Sequence, residues 1–435
     1  MNERNRPRVC FYGDDFTGAT DTLATATEAG LRSLLFLRVP DRRQLEAAGE
    51  LDCLGIAGAA RSMASAEMRA ELEPVARFFA GLQPAVTHYK ICSTFDSAPH
   101  VGNIGTALSV WRQYIDNDFV PVVGGQPNLQ RYCLFSNLYA AVNGGGEVFR
   151  IDRHQTMRNH PVTPMHEADM RVHLARQGMR VAAIHAPAYA GSAEQLDAQL
   201  ERLAQERPDA VLFDVSDAAH LPLIGRQIWQ RRPLLAIGAS SVVQALCEYW
   251  REQEELPAPS MDATRIAAAD GAVFVLAGSL SPVTAHQVAA AKAYERVALD
   301  ARRLVDGDQA YVETMLARIA QHLNAGRHVL ACTADGAHLD GERVALRLAQ
   351  ASGDFLRRLL PLTTVRRIGV AGGDTSSHAL KALDIWGLSY RGKLSPGVAL
   401  CRAHADGVRE DGVELMLKGG QMGGEDLFDR LANGV

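Results

Sequence analysis

Between Val9 and Gly30 the sequence reads VCFYGDDFTGATDTLATATEAG, and three of these residues, Asp14, Asp15 and Asp21, are aspartates. An apolar run precedes the first two, and an alanine- and threonine-rich helical stretch follows. One acid or hydroxyl, Asp15 or Thr17, suffices to cap that helix, and Gly30 is suited to end it. Clustered carboxylates repel one another, so the surplus acids need a use. A Mg2+ ion, a network of substrate hydroxyls or a general base would each supply one. Further along, HYKICSTFDSAPHVGNIG ends a strand with Lys90 and continues into a polar loop holding Ser93, Thr94 and Asp96. AGAARSM puts Arg61 just past another strand. Lys90 and Arg61 are suited to hold a carboxylate, the arginine in bidentate fashion. Taken singly, a snorkelling lysine and a surface arginine explain them as well.

The C-terminal part is rich in glycine loops. GVAGGDTSSHAL sets Gly372, Gly373, Asp374 and Thr375 between a strand and a helix, and LKGGQMGGEDLF repeats the arrangement with Gly419, Gly420, Gly423 and Gly424. AGSLSPVTAHQ supplies Ser279 and Ser281 at a third such turn, with Pro282 fitted to the first helical position. Glycines let a ligand approach the backbone closely, and a helix start offers free N–H groups to phosphate. Each loop alone is also a common capped βα turn; three together favour a nucleotide phosphate site. Neither GxxxxGK[ST] nor GxGxxG occurs, so the expected site is neither a P-loop nor a dinucleotide fold. His154, His160, His166 and His173 cluster in RIDRHQTMRNHPVTPMHEADMRVHL, but their spacing matches no zinc motif. His160, before Pro161, is read as a polar wall of a pocket.

The elements that must position these groups repeat as strand, turn, helix. RVCFY, LRSLLFL, LDCLGIAG, AVTHYKI, VPVV, RVAAIHA, AVLFDV and PLLAIG read as strands without polar alternation, hence buried on both faces of a mainly parallel sheet. SAEQLDAQLERLAQE reads as an amphipathic helix. The predicted fold is α/β: two α/β domains with mainly parallel sheets and an interdomain cleft, residues 1–255 and 256–435, split at the polar stretch after Trp250. At 435 residues, 47% hydrophobic, 22% charged and with a net charge of -5, the chain shows no basic footprint for nucleic acid and no polybasic membrane patch. No apolar run reaches transmembrane length, and the charged MNERNRPR start is not that of a signal peptide. Seven unpaired-looking cysteines fit a reduced, cytoplasmic protein, and a homodimer is the default expectation.

Taken together, GDDFTGATD, GSLSPVTAHQ, AGGDTS and KGGQMGGED resemble the signatures of the four-carbon acid sugar kinases, in the same order and over nearly the whole chain. The resemblance implies residues 1–255 as the sugar-acid-binding domain and 256–435 as the ATP-binding domain. It implies phosphorylation of the terminal C4 hydroxyl of a tetronate or oxo-tetronate. It assigns Asp14, Asp15 and Asp21, with Arg61, Lys90, Ser93 and Thr94, to the substrate. It assigns Ser279, Ser281, Gly372 to Thr375 and Gly419 to Gly424 to ATP. Many relatives read K-x-D-S-T-x-R-G where this chain has KICSTFDS; Cys92 replaces the acid and Asp96 the arginine. That version is more similar to the 3-oxo-tetronate kinase branch.

The expected mechanism aligns ATP on the glycine loops with its γ-phosphate pointing into the cleft, and Mg2+ bridges the phosphates with help from Asp374. Arg61 or Lys90 holds the acid's carboxylate, and Asp15, against Asp14, takes the hydroxyl proton. Two rivals stand beside this reading. An NAD(P)-dependent sugar-acid dehydrogenase needs the missing GxGxxG, and a sugar-acid sensor needs no nucleotide loops.

Overall fold

The computed structural model describes residues 6–142, 146–160, 162–257, 265–278, 281–333, 342–420 and 422–435. The chain divides into two compact units, Met1–Pro259 and Ser260–Val435. Among the described residues no helix is long and apolar enough to cross a membrane.

In the first unit, eight strands form a fully parallel sheet: β1 (Val9–Gly13), β2 (Ser33–Phe36), β3 (Cys53–Ala57), β4 (Val86–Lys90), β5 (Val120–Gly124), β9 (Val181–Ile184), β10 (Ala210–Asp214) and β11 (Leu234–Gly238). Their order is β2-β3-β1-β4-β11-β5-β10-β9. Most are buried along their whole length, as the unbroken apolar runs require. From β1 the chain goes out to β2, comes back to lay β3 between β2 and β1, and then lays β4 on the other side of β1. Such a reversal leaves a crevice at the carboxyl ends of the two central strands. Tyr12 stacks on Tyr89 across this pair at 6.0 Å, and Phe79 stacks on Trp111 beneath it at 5.7 Å. Each large buried aromatic contributes about 2–3 kcal/mol of burial to the frame.

Between β5 and β9 the chain adds a separate antiparallel sheet of three short strands, β6 (Arg131–Leu134), β7 (Asn137–Ala141) and β8 (Val148–Arg150). Sequence periodicity did not separate these from loop. The β6–β7 turn holds Phe135 and Ser136 at positive φ (50° and 64°), where glycine or asparagine is the usual marker.

The second unit orders its strands β13 (Glu295–Ala298), β14 (Val329–Cys332), β12 (Val273–Ala277), β15 (Arg367–Ala371), β18 (Glu414–Lys418), β17 (Val398–Ala405) and β16 (Ile385–Ser395). The first five run parallel, whereas β17 is antiparallel to both β18 and β16. Its core gathers Val273, Val275, Leu330, Met416, Phe428 and Leu431.

Candidate active site

Asp14 and Asp15 follow the last residue of β1, and Lys90 is the last residue of β4. The backbone fixes the corner: Asp14 N–H donates to Lys90 O at 3.0 Å, and Arg61 N–H donates to Asp14 O at 3.1 Å. Asp15 is the N-cap of the helix Phe16–Glu28, accepting from Gly18 N–H, and Gly30 follows the helix end with φ +98°. A side chain at Gly18 would put its Cβ 1.5 Å from Lys90 Nζ, so glycine there lets the ammonium lie against the helix.

Lys90 Nζ donates to Asp15 Oδ1 at 2.9 Å, and Arg61 Nη1 lies 3.2 Å from Asp15 Oδ2. Both cations named from the sequence are thus engaged by one carboxylate. Burial pushes the Asp15 carboxyl up, but Arg61 and Lys90 outweigh it and hold the group well below the usual carboxylate range. Asp14 is different. Its carboxyl is almost fully buried, Lys90 Nζ stands 3.8 Å away, and Oδ1 has no hydrogen-bond partner. Burial dominates there, against the pull of Lys90 and with the push of Asp15, and raises its pKa to about 7. Two adjacent carboxyls are driven apart, one a fixed anion and one poised to exchange a proton.

Thr94 donates to Asp96 Oδ1 at 2.6 Å, and Asp96 Oδ2 lies 3.9 Å from Arg61 Nη1, so this loop joins the cluster. Cys92 Sγ lies 3.1 Å from Thr94 Oγ1, and burial pushes its thiol up to about 11, which excludes a thiolate at neutral pH. Ser93 sits half-buried in the same loop. Ser97 braces the loop from behind, with His173 Nε2 at 2.9 Å and Gln177 Nε2 at 2.8 Å. Asp21 lies a turn further along its helix, accepting from Ser240 Oγ at 2.5 Å and Gln126 Nε2 at 3.1 Å. His160 does not join these groups: its Nδ1 accepts from Thr163 N–H at 3.0 Å within its own loop.

Sequence reasoning passed over Arg131. It opens β6, and its backbone pairs with Gln126, the residue that binds Asp21. Arg131 Nη1 donates to Leu129 O at 2.6 Å, while Nε is buried without a partner. Burial lowers its pKa, and Asp96 is near enough for its charge to act on it. Asp214, fully buried at the end of β10, accepts from Phe135 N–H at 2.6 Å and Ser136 N–H at 3.0 Å and so pins the turn beside Arg131. A lone arginine in a polar stretch carries no pattern that marks it.

In the second unit, Ser281 caps the helix Pro282–Ala290, with Pro282 at its first position. Ser281 Oγ donates to Gly420 O, which Thr284 Oγ1 also reaches at 3.1 Å. Gly372 takes φ +128° ahead of the helix Gly373–Ala382, and its N–H donates to Lys418 O at 2.9 Å. Thr375 is buried against Gly278, where a Cβ would come within 2.3 Å of Thr375 Oγ1. Gly419, Gly420 and Gly423 follow β18, and Gly423 has φ +87°. Ser279 and the side chain of Asp374, the expected metal ligand, lie outside the described residues. Two further residues, Gln287 and Lys418, are hydrogen-bonded to these loops. Gln287 Nε2 donates to the carbonyls of Met422, Gly423 and Gly424 at 2.9–3.0 Å. In the sequence both were hidden inside motifs whose serines and glycines drew attention instead.

Comparison with known proteins matches residues 9–246 to a sugar-binding N-terminal domain and residues 274–428 to a nucleotide-binding C-terminal domain. A 3-oxo-isoapionate kinase of Paraburkholderia graminis is 36% identical, covering 98% of this chain and 94% of its own length. A 3-oxo-tetronate kinase of Methylobacterium radiotolerans is 30% identical, covering 96% of each chain. Among solved structures, a Salmonella typhimurium protein described as a tRNA synthase superposes with a TM-score of 0.80 at 24% identity, over 97% of this chain and 98% of its own; at that identity it speaks for the fold alone. The chain belongs to the four-carbon acid sugar kinase family.

Proposed function

We propose that this family member transfers the terminal phosphoryl group of ATP to the terminal hydroxyl of a sugar acid, with a 3-oxo acid as the preferred class. The names of its relatives support that class, since the 36%- and 30%-identical proteins are both kinases of 3-oxo acids. The observation that carries the reading is the Asp14–Asp15 pair at the end of β1, with Asp15 held by Lys90 and Arg61 below the usual carboxylate range and Asp14 raised by burial to about 7.

Phosphoryl transfer asks the protein for alignment, charge neutralisation and a proton acceptor. Asp14, with a free buried oxygen and a pKa of about 7, suits the acceptor. The role is proposed for Asp14 rather than for Asp15, which Lys90 and Arg61 keep ionised and which fixes both cations. The proton of the acid's hydroxyl passes to Asp14 as its oxygen bonds to phosphorus, and the bond from phosphorus to ADP breaks. Asp21, Asp96 and Thr94 offer polar contacts to the remaining hydroxyls. Arg131, whose charge meets no carboxylate partner among the described residues, is assigned the acid's carboxylate in place of Arg61 and Lys90.

On the nucleotide side, three carbonyls of the 422–424 loop face Gln287. Peptide planarity turns the following N–H groups, those of Gly423, Gly424 and Glu425, to the opposite side. Backbone donors so arrayed suit phosphate oxygens. Mg2+ would neutralise phosphate charge. Asp374 remains its candidate protein ligand. Free cysteines throughout fit a reducing cytoplasm, and a homodimer stays the default assembly.

The test is ATP consumption with Mg2+ against D- and L-threonate, D- and L-erythronate, the 2-oxo and 3-oxo tetronates and 3-oxo-isoapionate. Turnover of a 3-oxo acid is expected, falling about 10²–10⁴-fold in Asp14→Asn. Arg131→Gln is expected to raise KM for the acid about tenfold or more at unchanged KM for ATP. Silence across the panel, with no nucleotide binding by calorimetry, sinks the kinase reading.

A further inference from the structure

Lys418 is the last residue of β18 and is fully buried. Among the described residues no carboxylate pairs with it. Its ammonium donates instead to Thr284 Oγ1 and Gln287 Oε1, each at 2.8 Å, and lies 3.5 Å from Gly420 O. A buried charge answered only by neutral oxygens is costly, and burial alone pulls the pKa down to about 8. The fold keeps the charge there nonetheless, at the root of a glycine loop.

The consequence runs through Gln287. An ammonium only donates, so the amide corner it meets must be the oxygen. That fixes the orientation of the Gln287 amide and points its nitrogen at Met422 O, Gly423 O and Gly424 O, at 3.0, 2.9 and 2.9 Å. With those carbonyls drawn inward, the N–H groups of the same peptides face outward. We propose that Lys418 and Gln287 are positioning residues of the nucleotide site: the lysine sets the glutamine amide, and the amide sets the loop whose N–H groups receive the nucleotide's phosphates. The inference rests on the nucleotide reading above and adds what holds the loop in its receptive form.

The chemistry predicts a loss confined to phosphate. Gln287→Glu keeps the shape but replaces the donor nitrogen with an oxygen, which the three carbonyls repel. Lys418→Met removes the charge that orients the amide. Filling that site with an apolar side chain is compatible with folding, because a buried unpaired charge disappears. Titration calorimetry of the full chain with ATP and Mg2+, and separately with adenosine, reads the effect. ATP affinity is expected to fall about tenfold or more in both variants, with adenosine affinity held within about twofold. ATP affinity unchanged in either variant overturns the relay, and so does a parallel loss of ATP and adenosine, which marks general damage. Wild-type protein that binds neither compound overturns the nucleotide reading itself, and this inference with it.

Discussion

Asp14, the proposed base, offers the sharpest handle on the chemistry, because its protonation is coupled to folding and, in that proposal, to turnover as well. Its carboxyl titrates at 3.8 in the unfolded chain and at about 7 when buried. Across that window the native state holds a proton that the unfolded chain has released, so Asp14 costs stability as pH rises from about 4 to 7. Asp14→Asn removes the cost. It is expected to melt a few degrees above wild type at pH 8, with the gap closing toward pH 4, as scanning calorimetry would record. Wild-type kcat/KM for the acid is expected to rise with pH through an apparent pKa near 7, since the base must be deprotonated, and the Asn variant loses that limb. A variant that is both less active and less stable at pH 8 would contradict the assignment.

At the scale of elements, the helix Phe16–Glu28 acts as a backing plate. Its cap, Asp15, also clamps Lys90, and Gly18 leaves room for the ammonium. Gly18→Ala favours the helix by about 1 kcal/mol but drives a methyl group into Lys90 Nζ. We expect near-normal thermal stability with kcat/KM for the acid down about 10²-fold, since a misplacement of about 1 Å is felt that strongly. Steady-state kinetics beside a melting curve checks both halves.

This corner was largely legible beforehand. β1 and β3 announce themselves as unbroken apolar runs, and Asp15 stands where a helix start wants it, as Ser281 and Pro282 do in the second unit. What could not be read is which charge answers which. Lys90 and Arg61 look free in one dimension and are engaged by Asp15 in three, whereas Arg131 and Lys418 gain meaning only because neither forms an ion pair with a carboxylate among the described residues. The β6–β8 sheet was hidden for a local reason, its turn being built from Phe135 and Ser136 rather than glycine.

At the scale of the molecule, each unit carries its own core and its own set of proposed ligand contacts. The fragment 1–257 is therefore expected to fold and to bind the sugar acid without binding ATP, by calorimetry. A fragment that fails to fold, or one that takes up ATP, would show that the division of labour is wrong. The three-stranded ribbon of the first unit has a consequence of its own. It forms a sheet apart from the eight-stranded one, is fastened at its turn by Asp214, and presents Arg131 on its first strand. Were Arg131 the partner of the acid's carboxylate, as proposed, the choice of nutrient would hang on one short ribbon, while the strands that carry Asp14 and Lys90 lie in the other sheet.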